Sequence, residues 1–182
     1  MNMEKHRTAC GGFISAPPRV QHHLQAHPDV IAHLSNAISK IHLPSDRKKI
    51  ECEVEMGYIV GRGGVVKTNA LKIDDLALFA SRTNRKFPSR VAPSGDVGTE
   101  SSTIAIIAKP SFAEGQYELI TAWIGSLAKK EPWDPSILSQ DEFEDCLHFW
   151  STTALVFDPA TMGTVSENTW RKILALSNPK FG

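Results

Sequence analysis

Four cations, Arg82, Arg85, Lys86 and Arg90, fall within the loop-like stretch 81–90 (Ser-Arg-Thr-Asn-Arg-Lys-Phe-Pro-Ser-Arg), and no acid lies between Leu76 and Gly95. A guanidinium donates two parallel hydrogen bonds to a phosphate and keeps its charge at any working pH, so this spacing suits a phosphate-bearing ligand. Phe87 adds a ring on which a base can stack. A second reading pairs the loop with the acidic stretch 131–145. There Glu131, Asp134, Asp141, Glu142, Glu144 and Asp145 follow one another with no cation between them.

His148, next to Phe149-Trp150, is a candidate proton carrier, because imidazole titrates near neutrality. The other six histidines lie in the first 42 residues. His23 and His27 have the i, i+4 spacing of a zinc pair, but Pro28 follows directly and no H-E-x-x-H or third ligand is in place. They read as surface residues, and neither metal nor cofactor is expected. Cys10, Cys52 and Cys146 form no C-x-x-C pair, so they read as packing thiols of a reduced, cytoplasmic protein. Gly61-Arg-Gly-Gly64 lacks both phosphate-loop patterns, and no serine sits in a G-x-S-x-G elbow.

Twenty cations balance twenty anions, so net charge does not steer the chain toward nucleic acid or acidic lipid. An apolar fraction of 41% with 22% charged residues is globular. No run approaches the roughly 18 apolar residues of a membrane span, and no leader-like segment is seen, so no membrane partner is expected.

The elements that would position these groups follow from periodicity. Residues 1–18 read as an irregular arm, broken by Gly11-Gly12 and Pro17-Pro18. Val30, Ile31, Leu34, Ala37, Ile38 and Ile41 recur at spacings of three and four, which predicts a helix over 28–41 after a shorter one. Ile50, Cys52, Val54 and Met56 alternate with charged residues, which predicts a half-buried strand over 49–60, turning at 61–64 into a hairpin partner over 65–68. Further strands are expected over 73–81, 103–109, 117–124 and 154–157, the second and third as an antiparallel pair. On 117–124, even spacing places Tyr117, Thr121 and Trp123 on one face. Ser139-Gln-Asp-Glu142 reads as a helix start, and a last helix is expected over 167–176. The chain is thus expected to be α+β. N-terminal helices would pack on a four- to five-stranded antiparallel sheet, with C-terminal helices after it: an arm 1–18, one domain 19–160, and a helical extension 161–182.

The order of two helices, an Arg-rich loop, a strand over 103–109 and Tyr117-Glu-Leu-Ile-Thr-Ala-Trp-Ile-Gly125 resembles the compact toxin-type ribonucleases that group barnase, RelE-type toxins, EndoU nucleases and colicin nuclease domains. Glu131-Pro-Trp-Asp134 and Phe149-Trp150 are similar to bacterial proteins of uncharacterised function. The resemblance implies metal-independent RNA cleavage by attack of a ribose 2′-hydroxyl on its neighbouring phosphate. It departs from the family in having no histidine between His42 and His148, which leaves the arginines and a lysine to carry the chemistry. On that expectation Arg85 and Arg90 stabilise the phosphate, Lys86 or His148 moves protons and Thr121 orients the substrate. Arg82, Phe87, Tyr117 and Trp123 bind it. The partners would be RNA and a protein inhibitor. The alternative is a non-enzymatic binding or self-assembly protein whose basic loop docks on the acidic segment. A third reading is a small-molecule pocket of Trp123, Trp133 and Trp150.

Overall fold

The computed structural model describes residues 4–25, 27–83 and 85–177, without the side chains of His22 and His23. In chain order the elements begin with β1 (Glu4–Arg7), β2 (Phe13–Ala16), α1 (Pro18–Leu24), α2 (Pro28–Ser39), β3 (Ile50–Glu55) and β4 (Gly61–Arg62). Next come β5 (Val65–Lys67), β6 (Ala77–Arg82), β7 (Ser89–Arg90), β8 (Glu100–Ser101), β9 (Thr103–Pro110) and β10 (Gln116–Ile124). The chain closes with α3 (Gln140–Thr152), β11 (Thr153–Leu155), β12 (Met162–Asn168) and α4 (Trp170–Ser177).

These elements form two compact units, Met1–Gly64 with Thr99–Leu127, and Val65–Gly98 with Ala128–Gly182. The expected α+β arrangement is overturned. Among the described residues twelve strands accompany only four helices, and the strands are shared among four mostly small sheets. The largest sheet is mixed, not antiparallel, because β2 runs parallel to β10. The reason lies in residues 4–16, which do not form an irregular arm. Gly11 (φ 87) lets the chain reverse, so β1 and β2 pair as a hairpin ahead of the helices.

In the first unit the sheet order is β1-β2-β10-β9-β3, which leaves β3 at an edge. Ile14, Val30, Leu34, Ile38, Ile50, Val54, Ile104, Ile106 and Leu119 share one buried cluster, drawn from β2, α2, β3, β9 and β10. Helix α2 begins on Pro28, whose missing N–H costs nothing in a first turn, and buries Val30, Leu34, Ala37 and Ile38 on one stripe. The β9–β10 pair is antiparallel as expected, but its register shifts between Leu119 and Thr121. This bulge adds a residue at Ile120 and reverses the faces beyond it. Tyr117, Leu119, Ala122 and Ile124 are therefore buried, and Tyr117 does not share a face with Thr121 and Trp123 as expected.

The hairpin expected between 49–60 and 65–68 does not form. Strand β3 stops before Gly57 (φ 83), Gly61-Arg62 pairs with Ser101-Glu100, and β5 pairs with β11. In the second unit, β6 lies between β12 and β7. Trp133, Phe143, Cys146, Trp150, Trp170, Ile173 and Phe79 form its core, with the Phe79 and Trp170 rings edge to face at 5.0 Å. The Ser139 side chain accepts from the Glu142 N–H and caps α3, as its spacing predicted. Residues 162–168, expected within the helical extension, instead form β12 against β6, and the last helix starts only at Trp170.

Candidate functional site

Two of the four cations of the 81–90 loop, Arg82 and Arg90, are engaged by the protein itself. Arg82, at the end of β6, sends Nη1 to Glu131 Oε2 and to Ser89 Oγ, both at 3.4 Å. The Glu131 side chain is only 8% exposed and that of Arg82 25%. Burial pushes the Glu131 carboxyl above the usual carboxylate range, outweighing the Ser89 hydroxyl and the charges of Arg82 and Arg85. Burial likewise lowers Arg82, against the attraction of Glu131. The pair is thus a buried contact in which desolvation dominates, and it holds the loop to the head of the acidic stretch.

Arg90, on β7, is 5% exposed and serves as a structural clamp. Its Nη1 donates to the carbonyls of Trp150 (2.8 Å) and Thr153 (3.2 Å) at the end of α3. Nη2 donates to Thr68 Oγ1 (2.7 Å) and the Asn69 carbonyl (3.4 Å). The negative end of the helix dipole suits a buried cation here. Arg85 and Lys86 are exposed, with Lys86 Nζ 5.2 Å from the Phe87 ring centroid. Phe87 itself packs against Trp133, ring centroids 6.0 Å apart. Trp133 and Trp150 are core residues of the second unit, whereas Trp123 lies in the first. His148 is exposed on α3. Thr121, Trp123 and Tyr117 belong to the other unit. Trp123 Nε1 donates to the Ser126 carbonyl, and the buried Tyr117 hydroxyl faces the Pro44 carbonyl at 3.5 Å.

The rest of the acidic stretch is met mostly by its own neighbours: Lys129 bonds Asp145 (3.0 Å) and Lys130 bonds Glu142 (2.7 Å). Among the described residues no cluster of three or more His, Cys, Asp or Glu is set to hold a metal ion. The side chain of His23, one half of the i, i+4 pair, lies outside the described residues. No described helix is long and apolar enough to cross a membrane.

Among the described residues β3 has no strand partner on its outer side. The Met56 N–H donates to the Ser102 carbonyl at 2.8 Å, which sets the phase of the ladder with β9. In an antiparallel pair, residues alternate between those that exchange hydrogen bonds and those whose main-chain groups point away. The even residues Ile50, Cys52 and Val54 therefore bond β9, while Glu51, Glu53 and Glu55 turn their N–H and C=O outward. Lys40 Nζ donates to the outward carbonyl of Glu55 at 2.9 Å and stops that end of the edge. Among the described residues, no hydrogen bond reaches the outward main-chain groups of Glu51 and Glu53.

Beside this edge runs an open groove of about 490 Å³, lined by Lys40, Ile41, His42 and Pro44 on one side and by residues 49–55 on the other. The glutamate side chains are placed by local bonds. Glu51 pairs with Lys49, Glu53 Oε1 accepts from the Leu127 N–H (2.7 Å), and Glu55 accepts from the Gly57 N–H (2.9 Å) and Thr103 Oγ1 (3.2 Å). The Gly57 N–H foremost, then the Ser102 and Thr103 hydroxyls and the Lys40 charge, hold Glu55 below its ordinary carboxylate value against a small effect of burial. Cys52 is half-buried, and burial raises its thiol, so it is a packing group and not a nucleophile. Reasoning from the sequence found this strand and its buried face but not its position at an edge. The available signal was a charge at every second residue, as edge strands often carry. Comparison with family models, curated proteins and solved structures found no match to this chain.

Proposed function

We propose that this protein is a non-enzymatic binding module that takes up an extended peptide segment as an additional strand beside β3. The observation that carries this reading is the pair of outward N–H and C=O sets on Glu51 and Glu53, unpaired among the described residues and bordered by the groove. Strand addition draws affinity from main-chain hydrogen bonds and specificity from the alternate side chains that reach flanking pockets. A ligand strand of about five residues spans roughly 17 Å, enough to cover the edge from residue 51 to the Lys40 stop. The expected RNA-cleaving site has no such support, because Arg90 gives both Nη groups to the protein itself and Arg82 turns Nη1 to Glu131 and Ser89.

The test is Glu53→Pro. Proline removes an outward N–H without touching the β9 ladder, which edge positions tolerate. Peptides enriched from a displayed random library on the wild-type protein are expected to lose binding to this variant, while its circular dichroism stays unchanged. Selected peptides that bind both proteins equally would remove the strand-addition reading.

A further inference from the structure

From the same edge we infer the chemistry of the segment it accepts: a strand with Lys or Arg at two alternate positions and apolar residues between them. This rests on the strand-addition reading above. Glu51, Glu53 and Glu55 lie at i, i+2 and i+4, so their side chains form a row on the sheet face opposite the core. An added strand places every second side chain directly beside that row, at the separation where cross-strand charges interact. Lys49 already neutralises Glu51. Glu53 accepts from a main-chain N–H, and Glu55 from an N–H and the Ser102 and Thr103 hydroxyls, so among the described residues neither is joined to a cation in an ion pair and both have spare acceptor sites. Two cations spaced by one residue match this pair.

The intervening side chains of the ligand lie on the opposite face, beside Ile50, Cys52 and Val54, where the groove is walled by Ile41 and Pro44. Apolar residues fit there. The Lys40 ammonium is held by the Glu55 and Met56 carbonyls; its charge acts on the Glu55 carboxylate only as the weakest of that group's influences, and among the described residues no ion pair joins the two. A second copy of this chain is a poor occupant. Edge-to-edge pairing of β3 with itself sets glutamate against glutamate, and like charges directly opposite are destabilising.

The experiment uses three labelled peptides, Val-Lys-Val-Lys-Val, Val-Ser-Val-Ser-Val and Val-Glu-Val-Glu-Val, titrated by fluorescence anisotropy at low salt. The proteins are the wild type, Glu53→Gln/Glu55→Gln and Glu53→Pro. On the wild type the lysine peptide is expected to bind roughly tenfold more tightly than the serine peptide, and the glutamate peptide more weakly still. In the glutamine variant the lysine-over-serine preference should collapse. Equal binding of all three peptides, lost in Glu53→Pro, overturns the cationic ligand and leaves strand addition standing. Binding of none, or binding indifferent to Glu53→Pro, overturns strand addition itself. A wild-type dimer in sedimentation that Glu53→Pro abolishes would replace the cationic peptide with a second copy as the occupant.

Discussion

Arg90 offers the sharpest quantitative test, because a basic residue expected to hold phosphate is instead buried against carbonyls. Truncation to alanine removes four donated hydrogen bonds, to the Trp150, Thr153 and Asn69 carbonyls and to the Thr68 hydroxyl. Trp150 and Thr153 are 2% and 1% exposed, so water cannot readily replace the lost donors. A buried acceptor left unsatisfied costs about 1–3 kcal/mol, and the stem's packing is lost as well. We expect Arg90→Ala to destabilise the second unit by about 3–5 kcal/mol. Arg90→Lys should cost roughly 1–3 kcal/mol, since a compact ammonium cannot span all four acceptors as the planar fork does. The assay is urea denaturation followed by tryptophan fluorescence, which reports mainly on this unit. Three of the four tryptophans, Trp133, Trp150 and Trp170, lie in its core. A loss below about 0.5 kcal/mol for Arg90→Ala, the range of ordinary surface changes, would refute the clamp and return Arg90 to the pool of ligand-binding candidates.

Three other outcomes are expected. Glu131 has a folded-state value raised by burial, so its contribution is favourable below the ordinary glutamate range and is lost as pH rises through the raised value. Stability measured against pH should therefore decline less over that window in Glu131→Gln than in the wild type, and an identical slope would exclude Glu131 as its source. A Cβ on Gly12 would stand 2.3 Å from Leu43 Cδ1 and 2.6 Å from the Gly115 carbonyl, so Gly12→Ala should cost about 1–3 kcal/mol in thermal denaturation. Gly64→Ala, with nothing within 4 Å, is the near-neutral control. Single-stranded RNA incubated with the protein should stay intact with or without EDTA. Cleavage abolished by Arg82→Ala would reinstate the ribonuclease reading.

Elements whose cause is local were legible in the sequence. The stripe Val30, Leu34, Ala37, Ile38 marks α2, the Ser139–Glu142 spacing marks the start of α3, and the alternation from Ile50 to Met56 marks β3 and its buried face. Each depends on residues within a few positions of one another. Strand partners do not. Which strand β3 pairs with, and that its other side has none among the described residues, depends on β9, about fifty residues away, winning that place. The same holds for β5, which pairs with β11 and not with the nearby β3, and for β12, whose ordering comes from β6. The bulge at Ile120 re-aimed Tyr117 because periodicity counts residues, whereas the sheet counts hydrogen-bonded pairs. The basic loop shows the same division. Residue type makes Arg82 and Arg90 able to hold an anion, but tertiary packing brought Glu131 and the last carbonyls of α3 to them first. Chain-local chemistry thus set which groups were available. Only the folded chain decided which were already satisfied, because a donor's partners are fixed by contacts made across distant segments.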